Sequence, residues 1–200
     1  MKQLFTLFLS AFLCAPLYAQ DLEVFEKLVY SSESSGSLPY RLLKPLDYNP
    51  AKKYPLVIFL HGSGERGNDN QAQLKHGVKV FATKEAREKY QAFVMVPQCP
   101  ENQRWANGVL DADKTGYEYT GQEPSEPMKL VMEVLQETLQ QYSIDQRKVY
   151  VAGLSMGAAG TYDLLGRQPD LFAAGVTICG YYDYRMAATI AQTPLWIFHG

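Results

Sequence analysis

Histidine and cysteine are scarce in this 200-residue chain, with three of each. One cysteine, Cys14, falls in the N-terminal leader described below, and the remaining pair, Cys99 and Cys179, is too small a set for a disulfide framework. Both follow predicted strands that the expected sheet order does not make neighbours, so no bridge between them is expected. A surplus of charge is also missing. Lys+Arg 19 against Asp+Glu 21 gives a net charge of -2, which leaves no electrostatic footprint for nucleic acid. After the leader no apolar run approaches the roughly 20 residues that cross a bilayer, the longest being Pro55 to Leu60. Internal repeats and linkers are absent too. What is present, 46% hydrophobic and 20% charged residues, suits one soluble domain of roughly 180 residues once the leader is removed.

The leader reads as an export signal. Lys2 supplies a positive start, Leu4 to Leu13 an almost unbroken apolar stretch, and Pro16-Leu17-Tyr18-Ala19 a breaker followed by a small residue. Cleavage is expected after Ala19, giving a secreted or periplasmic protein. The bulky Phe12-Leu13 before Cys14 argue against lipidation.

The rest alternates strand and helix signals. Leu22–Tyr30 and Leu38–Leu43, separated by a polar turn at 31–36, read as an antiparallel hairpin. Leu56–Leu60, Phe93–Val96, Val149–Ala152, Gly175–Ile178 and Leu195–Phe198 are continuous apolar runs of strand length, the pattern of strands buried on both faces. Met128, Val131, Leu135, Thr138, Leu139 and Tyr142 share one helical face, and a second helix is expected over Met156–Gln168, before Pro169. The pattern predicts an α/β fold: a mostly parallel sheet, the antiparallel hairpin at its start, and helices on both faces. A long polar connection from Cys99 to Pro127 leaves a strand's C-terminal end, where loops of that length tend to be functional.

Two motifs carry chemistry. Gly153-Leu154-Ser155-Met156-Gly157 fits G-x-S-x-G between a strand and a helix, a turn tight enough to want glycine on both flanks and to lift the Ser155 hydroxyl above the sheet. The bland reading of Ser155 is a helix cap in a glycine-rich turn. His61-Gly62-Ser63-Gly64 follows the strand ending at Leu60, where glycines let backbone N–H groups face a substrate. An acyl-transfer site needs two oxyanion donors, and the backbones of Ser63 and Met156 are the candidates. An anion-binding nest without catalysis is the alternative for this loop.

These segments, with Glu65-Arg66-Gly67, Pro97-Gln98-Cys99-Pro100 and Arg104-Trp105, resemble the α/β-hydrolase superfamily in matching order from about Pro55 to Gly200. Within it they are similar to secreted serine esterases of the phospholipase/carboxylesterase and dienelactone hydrolase type, often described as predicted peptidases of the prolyl-oligopeptidase group. The resemblance implies a mixed eight-stranded sheet with the Ser elbow after the fifth strand, ester hydrolysis through an acyl-enzyme on Ser155, and no metal or cofactor. It makes His61 an organiser of the oxyanion loop with Gly62 and Gly64, and not the base. It places Trp105 in the wall of the substrate pocket, loop packing being the alternative. The implied substrate is a small-molecule or polysaccharide-linked ester.

A triad of this fold runs Ser, then Asp or Glu, then His along the chain. Only His199 follows Ser155, and Asp183 is the candidate acid within these residues. His199 ends a strand that fixes its side-chain direction, which argues against it as base. The resemblance implies that the acid and the catalytic histidine follow the segment matching His199-Gly200, so both are expected beyond Gly200 and residues 20–200 are expected to lack the C-terminal part of the domain. His76 reads as a surface residue, and Asp163 and Asp170 as solvated or turn positions. Peptide hydrolysis by the same chemistry, and a non-catalytic hydrolase-like binding protein, are the two rival functions.

Overall fold

In a computed structural model, which describes residues 22–33, 36–110, 117–119 and 122–200, the apolar runs line up side by side. The strands are β1 Phe25–Ser32, β2 Gly36–Leu43, β3 Tyr54–Leu60, β4 Phe93–Pro97, β7 Ile144–Leu154, β8 Ala174–Ile178 and β9 Leu195–Phe198. They form one seven-stranded sheet in the order β1-β2-β4-β3-β7-β8-β9. β1 and β2 are antiparallel and β2 runs antiparallel to β4, while β4, β3, β7, β8 and β9 are mutually parallel. A separate two-stranded ribbon pairs β5 Val109–Leu110 with β6 Tyr117–Glu118. The expected mostly parallel sheet with an antiparallel hairpin at its start is therefore present, with seven strands among the described residues where the resemblance implies eight. The Ser155 turn follows the fifth strand of the main sheet.

Helices α2 Glu126–Gln141 and α3 Met156–Arg167 cover one face. Ser125 starts α2 by accepting the Met128 N–H on its hydroxyl at 3.2 Å, and α2 then buries Met128, Val131, Val134 and Leu135 against Leu42, Leu56, Ile58 and Met95. The opposite face is covered more thinly. Single 3-10 turns at Ala72–Leu74 and Val78–Ala82 place Leu74 and Val78 over Phe25, Phe59, Val94 and Val96, and a short helix α1, Lys84–Lys89, follows.

Most strand boundaries shift by a residue or two, and three differences bear on the fold. Residues 22–24 form a 3-10 turn ahead of β1. α3 ends at Arg167. β7 begins five residues early, because Ile144–Lys148 stay extended across a register break between Tyr54 and Leu56. That added stretch is polar, with Asp145 gripping Arg147 at 3.2 Å and Lys148 at 3.8 Å, so no apolar run announced it.

Cys99 is buried, Cys179 is exposed, and both are free thiols. β3 and β7 separate the strands they follow. No helix among the described residues is long and apolar enough to cross a membrane. The expected leader, residues 1–19 with Cys14, lies outside the described residues.

Candidate active site

Parallel strands β3, β7 and β8 end along one edge of the sheet, and the loops that leave them build the site. Between β7 and α3 the chain turns at Ser155, which has φ 54° and ψ −116°. This is left-handed backbone for a non-glycine residue, stored strain of the kind found at functional sites. The turn is held by the Ser155 N–H donating to the Ile178 carbonyl at 2.8 Å. Its flanking glycines are required by contact. A Cβ on Gly157 would run into the carbonyl oxygen of Leu60, and one on Gly153 into that of Gly157. Strand end and helix start thus touch backbone to backbone, leaving the Ser155 side chain exposed at the crest. Its hydroxyl does not cap α3, which disposes of the bland reading.

The second loop lies one strand away, after β3. Gly62 leads into a 3-10 turn, Ser63–Glu65, and a Cβ on Gly62 would lie 3.7 Å from the Ser155 Cβ. Ser63 opens this turn and Met156 opens α3, so both N–H groups belong to the set that a helical turn leaves without an internal partner. Ser63, Ser155 and Met156 line one cavity of about 210 Å³, with Arg66, Arg104, Ala106, Tyr119, Ala159 and Tyr181. Gly64 is open to solvent beside it.

His61 lies beneath this loop, almost wholly buried. Its Nδ1–H donates to the Gly62 carbonyl at 2.6 Å, and its Nε2 accepts the Cys99 N–H at 2.9 Å. The carbonyl can only accept and the amide can only donate, so the ring is neutral and its tautomer fixed. Burial lowers its pKa to about 4. With both nitrogens engaged, His61 braces the loop and has none left for proton transfer.

Trp105 is a correction. It does not line the cavity, because it is fully buried: its indole N–H donates to the His61 carbonyl at 3.0 Å and its ring meets the imidazole edge-on, centroids 5.1 Å apart. Gly160 of α3 packs on its Cβ. An indole needs a partner for its N–H and bulk around its ring, and the space under the loop after β3 supplies both. Its neighbours Arg104 and Ala106 reach the cavity instead.

Asp183 is buried, and its carboxylate receives both the Arg185 guanidinium, at 2.7 and 2.9 Å, and the Tyr119 N–H at 3.0 Å. It ties the long loop to the chain after β8. No imidazole bonds to it among the described residues. His199 is exposed, with Nδ1 on the Gly200 carbonyl at 2.8 Å, and it ends a strand two positions from β7, roughly 10 Å away at the usual strand spacing. His76 is exposed and lies 3.7 Å from Glu65. None of the three histidines is hydrogen-bonded to Ser155.

Asp163, expected to be solvated, is instead buried in α3, where it accepts from Arg167 Nε and the Tyr182 hydroxyl, each at 2.8 Å. Burial and this neighbouring carboxylate push the Tyr182 phenol well above its usual range. Asp170 is exposed in a turn. Cys99, beside His61, is no rival nucleophile, since burial raises its thiol to about 12. No group of three or more His, Cys, Asp or Glu side chains among the described residues is arranged to hold a metal.

Asn70 and Gln98, to which the sequence assigned no role, anchor the loop after β3. Asn70 is buried, and its amide donates to the Leu28 and Tyr40 carbonyls at 2.7 and 3.2 Å. Gln98 accepts the Asn70 N–H at 2.6 Å and donates to Glu65 O and Asp69 Oδ1 at 3.2 and 2.8 Å. The polar run Gly67-Asn68-Asp69-Asn70, straight after an oxyanion-type glycine loop, was the available signal.

Residues 116–199 match the Prolyl oligopeptidase family. Feruloyl esterase B of Talaromyces stipitatus is 28% identical over 148 residues, 74% of this chain and 37% of that protein. Probable acetylxylan esterase A of Aspergillus flavus is 39% identical over 59 residues, 30% of this chain and 19% of that protein. Among solved structures, a thermostable esterase superposes with a TM-score of 0.77 at 37% identity, covering 88% of this chain and 46% of that one. The chain thus spans less than half the length of each of these relatives.

Proposed function

We propose that the chain is an α/β-hydrolase of the carboxylesterase type, an exported serine hydrolase that cleaves carboxylic esters through an acyl-enzyme on Ser155. The observation that carries this reading is the strained turn at Ser155, which lines the same cavity as Ser63 and Met156, the first residues of two helical turns. Ser155 Oγ attacks the ester carbon, its proton passes to a base, and the carbonyl oxygen becomes an oxyanion held by the Ser63 and Met156 N–H groups. Collapse expels the alcohol, which takes the proton from the base. Water then attacks the acyl-enzyme, gives its proton to the base, and releases the carboxylic acid as Ser155 regains its hydrogen.

His61 is committed to the loop and His199 stands two strands off, so neither is placed to serve Ser155 as base. Export rests on the leader over residues 1–19. A small-molecule or polysaccharide-linked ester suits the names of the relatives, a feruloyl esterase and an acetylxylan esterase.

A second reading, peptide hydrolysis, is favoured by the match to the Prolyl oligopeptidase family. Turnover of a chromogenic short-chain ester and of a matched peptide anilide by the native protein separates the two. Ester hydrolysis that disappears in Ser155→Ala is expected. Anilide turnover equal to ester turnover would replace the esterase reading by the peptidase one, and turnover of neither leaves only a binding role for the fold.

A further inference from the structure

Seven arginines occur in the sequence. Arg147, Arg167 and Arg185 are paired with Asp145, Asp163 and Asp183. Arg41 and Arg87 donate to backbone carbonyls, those of Phe25 and Asn70 and that of Lys44. The two that remain, Arg66 and Arg104, have no carboxylate partner among the described residues, and both line the cavity of Ser155. They reach it from separate places, Arg66 from the oxyanion loop and Arg104 from the long loop after β4.

Arg66 is half-buried and partly oriented, its Nε donating to the Ser63 carbonyl at 3.0 Å, which leaves the outer edge of its guanidinium for a ligand. Its charge is felt below, where it opposes protonation of His61 and favours the Cys99 thiolate, in both cases against or beside the larger effect of burial. Among the described residues, no aspartate or glutamate lines the cavity. A solvated surface arginine is ordinary by itself. Two without carboxylates, converging from different loops on a polar cavity that holds the nucleophile, are not explained by solvation.

We propose that Arg66 and Arg104 form a carboxylate-recognition subsite, so that the preferred ester carries an anionic carboxylate near its scissile bond. The planar guanidinium fork matches a carboxylate, and charge-assisted bonds of this kind are among the strong ones. The cavity, about 210 Å³, is smaller than the pockets of roughly 300–1,000 Å³ that hold drug-sized ligands, so a small group within it meets both side chains. Such a carboxylate has two chemical sources, the acyl part of a dicarboxylic half-ester or the alcohol part of an acylated sugar acid.

This inference rests on the serine hydrolase reading, and its test is kept apart from turnover. Affinities are measured by calorimetry on the native protein carrying Ser155→Ala, with two pairs of ligands. The acyl-side pair is monoethyl succinate and ethyl succinamate; the alcohol-side pair is an O-acetylated methyl glucuronide and its uronamide. In one pair the anion should bind about tenfold or more tighter than its neutral amide, and that ratio should shrink as ionic strength rises. The pair that discriminates identifies the source. Adding Arg66→Ala or Arg104→Ala should bring the ratio toward one, the lysine variants should restore part of it, and Arg147→Ala should leave it intact. Equal affinities within both pairs, no binding in either, or a ratio that survives both alanine substitutions overturns the subsite. Fluorophosphonate capture by wild-type Ser155 is scored separately. Capture without anion preference defeats only this inference, while anion preference without capture defeats the hydrolase reading and leaves the subsite standing.

Discussion

His61 illustrates how little a residue's identity says before its neighbours are known. A histidine next to an oxyanion loop invites a role in proton transfer, yet its two nitrogens are spent on the Gly62 carbonyl and the Cys99 amide. The imidazole is held neutral, its pKa lowered to about 4 by burial. The folded form therefore refuses a proton that the unfolded chain accepts below about 6.5, so acid favours unfolding across that window. This contribution is fully present above pH 6.5 and fades as pH falls toward 4. Between pH 7 and 4.5 it amounts to roughly 2–3 kcal/mol. Urea unfolding at the two pH values should show that loss in the wild type and a clearly smaller one in His61→Gln. An equal acid loss in both proteins contradicts the neutral, buried role.

At the level of elements, the contact between β3, β7 and α3 sets the geometry of the nucleophile. Gly157 lies against the Leu60 carbonyl, and neither backbone has a side chain to move aside. Gly157→Ala should therefore cost about 3 kcal/mol or more, the upper part of the range for overpacking, read as a fall in the urea midpoint at unchanged slope. A loss below about 1 kcal/mol would mean that the turn can open. The loop after β8 is fastened to the same helix by Tyr182 on Asp163, and to the long loop by Asp183 on the Tyr119 N–H. Periodicity made the strands and helices legible, because an apolar run or stripe announces its own burial. Asp163 was not legible, since its partners Arg167 and Tyr182 meet it only when the loop after β8 folds back on α3. Trp105 was ambiguous for a related reason: an indole suits a pocket wall and a buried brace equally, and the choice depends on the His61 carbonyl from another strand. The convergence of Arg66 and Arg104 was invisible for the same cause.

For the whole molecule, the parallel strands β4, β3, β7 and β8 deliver their C-terminal loops to one edge, and Ser155, Ser63, Met156, Arg66 and Arg104 all gather there. The far side of the sheet is different. Among the described residues β9 pairs only with β8, and its Trp196, Ile197 and Phe198 are exposed, an apolar edge of the kind folded proteins normally cover. The motifs around Ser155 and His61 could be read from residue types and spacing because they act through backbone, which glycine placement reveals. A proton-transfer partner for Ser155 could not, and the geometry excludes His61 and His199 from that role. The account stands on Ser155 being an activated nucleophile, and the most direct measurement is mass spectrometry of the native protein after exposure to a fluorophosphonate. One phosphonyl group on the peptide containing Ser155, abolished in Ser155→Ala, is the expected result. An unmodified Ser155, or a label retained by the alanine variant, would contradict it.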